Sequence, residues 1–402
     1  MRLLLGLAYL CLPAAFIIHF CATGRSFEPT LTFVLSAISI IPLARLIGIA
    51  TEQLAERAGP TWGGLLNATF GNACELIIGI VGLTKGLTEI VKASLTGSIL
   101  GNLLLVAGGA MVAGGWKRER QVYSRAAAHT NAGLLAVAVS GMLFPAIFHF
   151  SFQGRDVHLL DHEMSLSIGA SLILLAVYVL GLIFTLKTHA HIFSIKPAAS
   201  DEEPGGISSV HPFWSIRKSV VILFIASVAV AAASELLTGT VEQMAHSLHW
   251  NDIFVGIVVI AVVGNASEHS TAIYLARRND METAMAITYQ SSLQIALFAT
   301  PVMVLFGSLL PIPPSGANRM DLIFSPMEVA AVLLCVGMVI VLGINGETNW
   351  FEGVLLLAVY AILAITFFYM PIAHNSVYDS QRSGLAGTNT NRLQTTHGTS
   401  SP

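Results

Sequence analysis

Apolar residues fall in long blocks along this chain. Eleven such segments run near 3–21, 29–57, 62–84, 88–115, 125–148, 163–187, 214–244, 251–276, 281–309, 325–344 and 349–371. Most reach the roughly 20 residues that an α-helix needs to cross a bilayer core of about 30 Å. Continuous helices are the expectation, because lipid offers unpaired backbone groups no partner. The second and seventh segments are long enough for tilt or a break, and Pro42 lies inside the second. The first segment reads as a retained helix and not a signal peptide, since its apolar run is long and no clean small-residue cleavage site follows. Residues 372–402, rich in Ser, Thr, Asn and Gln, read as a disordered tail.

Composition sharpens this picture. Hydrophobic residues make up 54% of the chain and charged ones only 11%, with a mean hydropathy of +0.73. A soluble domain carries about 25% charged residues, so most of this surface must face lipid. Thirty-five glycines suit closely packed transmembrane helices. The net charge of -3 is scattered, and no basic patch suggests nucleic acid. Cys11, Cys21, Cys74 and Cys335 lie in or beside apolar segments without metal-type spacing and read as small apolar fillers.

Lysines and arginines set the orientation. With the N-terminus in the cytoplasm, Arg57, Lys117, Arg118, Arg120, Arg125, Lys187, Arg277 and Arg278 fall inside, and only Arg25, Lys85, Lys92, Arg155 and Arg319 fall in outer loops.

The chain also repeats itself. GNACE at Gly71–Glu75 returns as GNASE at Gly264–Glu268, 193 residues later. The same offset carries Glu89 onto Glu282 and Ser98 onto Ser291. TEQLA at Thr51–Ala55 resembles VEQMA at Val241–Ala245, and LLAVY recurs at Leu174–Tyr178 and Leu356–Tyr360. The two GNA-x-E copies sit in the third and eighth segments, an odd offset, so they cross the membrane in opposite directions. The expected fold is an all-α polytopic membrane protein of 11 transmembrane helices, a leading helix plus two inverted five-helix repeats. Its divisions are 1–28 for the leading helix, 29–187 and 214–371 for the repeats, a cytoplasmic linker over 188–213 and the tail. Inverted repeats belong to alternating-access transporters, with the substrate near the midplane where the repeats meet.

Glu75 and Glu268 are the candidate chemistry. A carboxylate at the bilayer centre costs about 2.5–3.5 kcal/mol even on the insertion scale, and persists where it faces a cavity and has a partner. A structural bridge across the bundle is the plainer alternative. Neither segment offers a lysine or arginine near its acid, so an exchangeable cation is the expected partner. Asn72 and Asn265 share a helix face with the acids, and Gly71 and Gly264 permit close approach or a break that frees carbonyls. Ser98, Asn102, Gln290, Ser291, Ser292 and Gln294 add polar atoms, as interhelical glue or as the lining of a passage; Gln290 and Gln294 share one face and read as lining. Such an all-oxygen set suits a hard cation; Ca2+ takes six to eight oxygens, and two carboxylates balance its charge. Of the remaining acids, Glu235 lies in apolar sequence and is the better candidate for a proton-accepting or gating group, while Glu52 lies near the cytoplasmic end of its segment. His269 is expected to point away from the face of Glu268, and helix starts account for Glu328 and Glu352.

These segments, GNACELIIGIVGL with SLTGSILGNLLLV and GNASEHSTAI with YQSSLQIALF, resemble the Ca2+/H+ (cation/proton) antiporter family of the cation/Ca2+ exchanger superfamily. The resemblance covers all but the two ends of the chain. It implies eleven helices, proton-driven Ca2+ export or sequestration, central ion-binding roles for Glu75 and Glu268, and proton-route roles for Glu52 and Glu235. The acidic stretch that often joins the halves is reduced here to Asp201-Glu202-Glu203 and is assigned no role.

The expectation is thus a secondary active transporter exchanging Ca2+ for protons in a plasma (inner) or acidic-organelle membrane. Its metal ligands would be Glu75, Glu268, Asn72, Asn265, Gly71, Gly264, Ser98, Ser292, Gln290 and Gln294. Ca2+ would be the transported substrate, with no cofactor, and assembly into a homo-oligomer stays open. The rival is a Na+- or K+-coupled exchanger of Ca2+ or another divalent cation with the same architecture; the residue chemistry alone suits proton or sodium coupling equally. A channel fits inverted repeats poorly. An intramembrane enzyme lacks support, as there is no HExxH, serine elbow or glycine-rich nucleotide loop.

Overall fold

The computed structural model describes residues 2–22, 24–152, 159–190, 214–310, 319–343 and 345–371. The expected tail lies outside the described residues, as does nearly all of the expected linker. The helices are α1 (Arg2–Cys21), α2 (Glu28–Phe70), α3 (Ala73–Thr84), α4 (Thr88–Gly115), α5 (Arg125–Phe152), α6 (His162–Thr188), α7 (Ile216–Leu248), α8 (Asp252–Gly264), α9 (Ala266–Arg277), α10 (Met281–Leu309), α11 (Pro326–Gly343) and α12 (Trp350–Phe368). A short antiparallel ladder joins β1 (Gln121–Val122) to β2 (Glu347–Thr348). Among the described residues eight helices are long and apolar enough to cross a membrane, or nine if the bent pair α8 and α9 is one span.

Burial sorts the helices into layers. Within its apolar window α4 is 83% buried in protein, against 17% for α6 and 22% for α12. So α4 is central, and α6 and α12 turn most of their apolar surface outward. Phe20, Phe224 and Val341 are about as exposed as surface lysines would be in a soluble protein, at 72%, 69% and 70%. A belt of this kind has no place in water; the chain is an integral membrane protein of all-α polytopic class. One core packs α2 along α7 through Ile40, Ile47, Leu237 and Val241, and a second surrounds α4, α5, α10 and α11. Where α4 crosses α8, a Cβ added to Gly97 would collide with the backbone of Ile257. Glycine there is the condition for the crossing.

The expectation of continuous helices fails at two places, both beside the glycines that the sequence marks as permitting a break, and the chain also turns once between the expected second and third segments. In α2 the chain runs straight through Pro42 and turns instead at Gly59, whose φ of 81° and ψ of 171° suit glycine. The third apolar segment breaks at Gly71-Asn72, and the eighth at Asn265, where α8 and α9 meet at 62°. Both breaks are buried in protein, with Asn72 1% and Asn265 0% exposed, so their irregular backbone never meets lipid. Periodicity could not show this, since the flanking residues stay apolar through each break. Short π-helical stretches also interrupt α4 over Gly101–Val106, α8 over Val255–Ile260 and α10 over Ile295–Ala299, a feature often found near functional sites.

Candidate functional site

Each break starts a new helix with an acid in its first turn. Asn72 is the N-cap of α3 and Glu75 its third residue; Asn265 and Glu268 hold the same places in α9. A helix N-terminus favours a carboxylate by about 0.3–1 kcal/mol at exposed sites and more when partly buried. An N-cap asparagine ordinarily turns its side-chain oxygen onto its own helix, as Asn251 and Asn349 do at the helix ends of α8 and α12. Asn72 and Asn265 make no such bond. They reach into the other half of the chain. The Asn72 amide donates to Gln294 Oε1 on α10, and the Asn265 amide donates to Ser98 Oγ on α4 at 2.8 Å and to Ala261 O at 2.9 Å.

The two motifs converge. A Cβ added to Gly264 would lie 3.7 Å from Glu75 Oε1, and one added to Gly71 would lie 3.4 Å from Gln294 Oε1. Glu75 is 8% exposed and within Coulombic reach of Glu268. Asn102, which sequence reasoning had treated only as a flanking polar residue, ties the halves together by donating to Ser291 Oγ at 2.8 Å and to Asn265 Oδ1 at 3.3 Å. Its own Oδ1, together with Glu75 Oε2 and Glu268 Oε2, is buried without a hydrogen-bond partner. Among the described residues no lysine or arginine pairs with either acid, and no cluster of three or more His, Cys, Asp or Glu side chains forms. The result is a cluster of amide and hydroxyl groups beside two acids, Glu75 buried and Glu268 half-buried, each with one buried oxygen.

Other expected residues fall in different places. The Ser292 hydroxyl bonds to Thr288 O within α10 at 2.9 Å, so Ser291, its neighbour, makes the cross-helix contact. Glu52 is exposed on α2. The Glu235 side chain, embedded in apolar sequence, is 63% exposed and pairs with Lys85 at 2.9 Å; a partner 150 residues away leaves no local signal. His269 turns toward Gly101 of α4, and its Nε2 is buried without a hydrogen-bond partner. Glu328 accepts from Ser325 N at 3.0 Å, a helix-start role, but also holds Thr96 of α4 at 3.2 Å.

The two ends of the bundle differ. At the end with the basic loops, a cavity of about 390 Å³ is lined by Tyr123, Asn131, Glu282, Tyr289, Gln290 and Gln294 among others. It therefore reaches, through Gln294, the residue that holds Asn72. At the opposite end the Lys92 ammonium, 4% exposed, binds Asp321 at 2.6 Å and Ile323 O at 2.9 Å, with Glu89 at 3.8 Å. This pins α4 to the segment before α11.

The model of the sodium/calcium exchanger protein family matches residues 28–187 and again 218–369. A Ca2+/H+ antiporter from Synechocystis is 39% identical over 92% of this chain and 98% of its own. The chain belongs to the Ca2+/H+ antiporter family of these exchangers. Another member, the Ca2+/H+ antiporter ChaA of Bacillus subtilis, is 42% identical over 84% of this chain and 92% of its own. The crystal structure of the selenium-substituted Ca2+/H+ antiporter protein YfkE superposes with a TM-score of 0.74 at 36% identity, covering 92% of this chain and all of that one. Membership of this antiporter family spans nearly the whole chain, including both GNA-x-E motifs.

Proposed function

We propose that this protein exchanges Ca2+ for protons across its membrane by alternating access, with Glu75 and Glu268 as the carboxylates that the two ions share. One observation carries the reading: two helices start at buried breaks, each presents an acid at its third residue, and both acids keep a buried oxygen without a partner. Leaving a buried polar atom unpaired costs about 1–3 kcal/mol, and more for a charged group. A divalent cation satisfies Glu75 Oε2, Glu268 Oε2 and Asn102 Oδ1 together and balances both charges. Protons neutralise the same acids when Ca2+ leaves. An empty, doubly ionised site cannot pass through the closed state, because burying unpaired charge is prohibitive; that is the coupling. Gln290, Gln294, Ser98, Asn72 and Asn265 shape the site, and Glu52 and Glu235 stand on the proton route.

The architecture that this mechanism uses is a leading helix and two inverted five-helix repeats. Eight long helices and the bent pair give up to nine spans among the described residues, and counting the two shorter apolar helices Ala8–Cys21 and Ala73–Thr84 as well brings the number to the eleven of this proposal. The 193-residue offset carries the break at Asn72 onto that at Asn265, and the π-helical stretch of α4 to within one residue of that of α10. A single family model matching twice, over 28–187 and 218–369, supports the same division. By the bias of lysines and arginines, the end with the cavity faces the cytoplasm.

Flux in sealed vesicles tests the reading. With Ca2+ on one side, an imposed pH gradient drives Ca2+ movement and an imposed Na+ gradient does not. Uptake that follows Na+ or K+ and ignores pH would instead establish the rival counter-ion. Because the ligands are hard oxygens, Ca2+ also outcompetes Zn2+ and Cu2+ in the same assay; strong preference for either of these nitrogen-favouring ions sinks the proposed site.

A further inference from the structure

The cavity at the cytoplasmic end holds an acid that the exchange cycle does not use. Glu282 opens α10 and lines the cavity. One of its oxygens accepts from Ser124 N just before α5, a capping contact that accounts for half of the carboxylate. No lysine or arginine pairs with it among the described residues. Asn131 on α5 also lines this cavity; it is 3% exposed, and its Oδ1 finds no hydrogen-bond partner in the protein. Buried amide oxygens are nearly always partnered, so an orphan on a cavity wall points to a ligand. Gln290, one side of the same wall, adds a second amide, and Gln294 connects the wall to Asn72 beside the central acids.

We infer that Glu282 and Asn131, with Gln290 shared between this cavity and the central site, form a staging site for a hydrated divalent cation, occupied before the ion moves on to Glu75 and Glu268. The inference rests on the antiport reading for its direction of travel, but the site itself does not. Its chemistry differs from that of the centre. One carboxylate and two amides cannot replace the six to eight oxygens around Ca2+, and 390 Å³ holds about a dozen waters at roughly 30 Å³ each. The ion keeps most of its water here and loses it only between the two central carboxylates. A single acid facing a cavity walled by low-dielectric helices also focuses the field and raises the local concentration of cations.

Terbium luminescence reads this site without transport. Tb3+ is a hard, Ca2+-sized probe, and Tyr123 and Tyr289 line the cavity close enough to sensitise it. In purified protein carrying Glu75→Gln with Glu268→Gln, tyrosine excitation still gives a Tb3+ signal that Ca2+ displaces. Adding Glu282→Gln weakens Tb3+ binding about tenfold, as the single charged ligand is lost, and Asn131→Ala weakens it less. Tyr123→Phe with Tyr289→Phe dims the signal and leaves the Tb3+ affinity in place. The Gln variant retains an oxygen for Ser124 N, so a loss seen with Glu282→Ala and absent with Glu282→Gln assigns Glu282 to capping alone and overturns the proposal. So does the absence of a Ca2+-displaceable signal when the central acids are replaced. Vesicles that fail to exchange Ca2+ for protons refute the antiport reading while this signal stands, which keeps the two failures distinct.

Discussion

At the end of α10 beside the basic loops, Glu282 faces a cavity of about 390 Å³; at the opposite end of the bundle, on α4, its sequence counterpart Glu89 lies 3.8 Å from a buried lysine. The two helices match at a fixed offset through these acids and through Ser98 and Ser291. Three residues on from each acid they part company. Position 92 is lysine, clamped by Asp321 and Ile323 O, whereas position 285 is methionine on the cavity wall. A cation built into the protein is clamped at one end, and at the other a single acid faces an open cavity. Two segments of common pattern thus give the two ends of the molecule different chemistry, and on the exchange mechanism proposed above the Lys92 clamp is what must come apart for the ion to leave by that end.

That contrast depends on a centre serving both ends, so its sharpest test lies there. Glu75→Gln or Glu268→Gln keeps shape and hydrogen bonding but removes a titratable charge, and each is expected to abolish proton-driven Ca2+ uptake per unit of folded protein. Near-normal uptake by either variant would reduce the pair to a structural bridge. Lys92→Met, which makes α4 resemble α10, leaves Asp321 without its partner. Removing one member of a buried ion pair costs about 3–5 kcal/mol, and because the Asp321 side chain is 17% exposed the lower figure is the expectation. Thermal unfolding in detergent checks it, and adding Asp321→Asn should recover part of the loss. An unaltered melting curve would show that the clamp holds nothing together.

The reverse exchange, Met285→Lys, carries the lysine into the cavity three residues from Glu282. The Ca2+ concentration for half-maximal uptake should rise about tenfold, an effect that high salt diminishes; unchanged saturation would remove the cavity from the ion's route. The smallest effect separates two adjacent serines. Ser291→Ala takes a hydroxyl from Asn102 and should weaken apparent Ca2+ affinity by about fivefold, the worth of one hydrogen bond. Ser292→Ala, whose hydroxyl serves its own helix, should cost less. Equal or inverted losses would place the wrong serine in the site.

Much of this was legible before any coordinate was known. Span length, the excess of lysine and arginine on one side, and the recurrence of GNA-x-E define a polytopic helical protein with two special acids, because each follows from local chemistry. A bilayer demands long apolar helices, and a carboxylate inside one is costly wherever it sits. What stayed hidden depends on contacts between distant residues. At the breaks, Asn72 and Asn265 leave their own helix starts uncapped and bond instead to Gln294 of α10 and Ser98 of α4, partners far away in sequence. Glu235 looked embedded because its neighbours are apolar, yet it is Lys85, across the bundle, that decides its surroundings. Asn102 and Ser291 meet because the packing of α4 on α10 brings them to 2.8 Å, whereas the hydroxyl of Ser292, identical in sequence terms, donates to Thr288 O of its own helix. Sequence alone determines which residues are expensive to bury in a membrane; the tertiary structure decides which of them meet, since a polar atom far from water is stabilised only by whatever partner the fold carries to it.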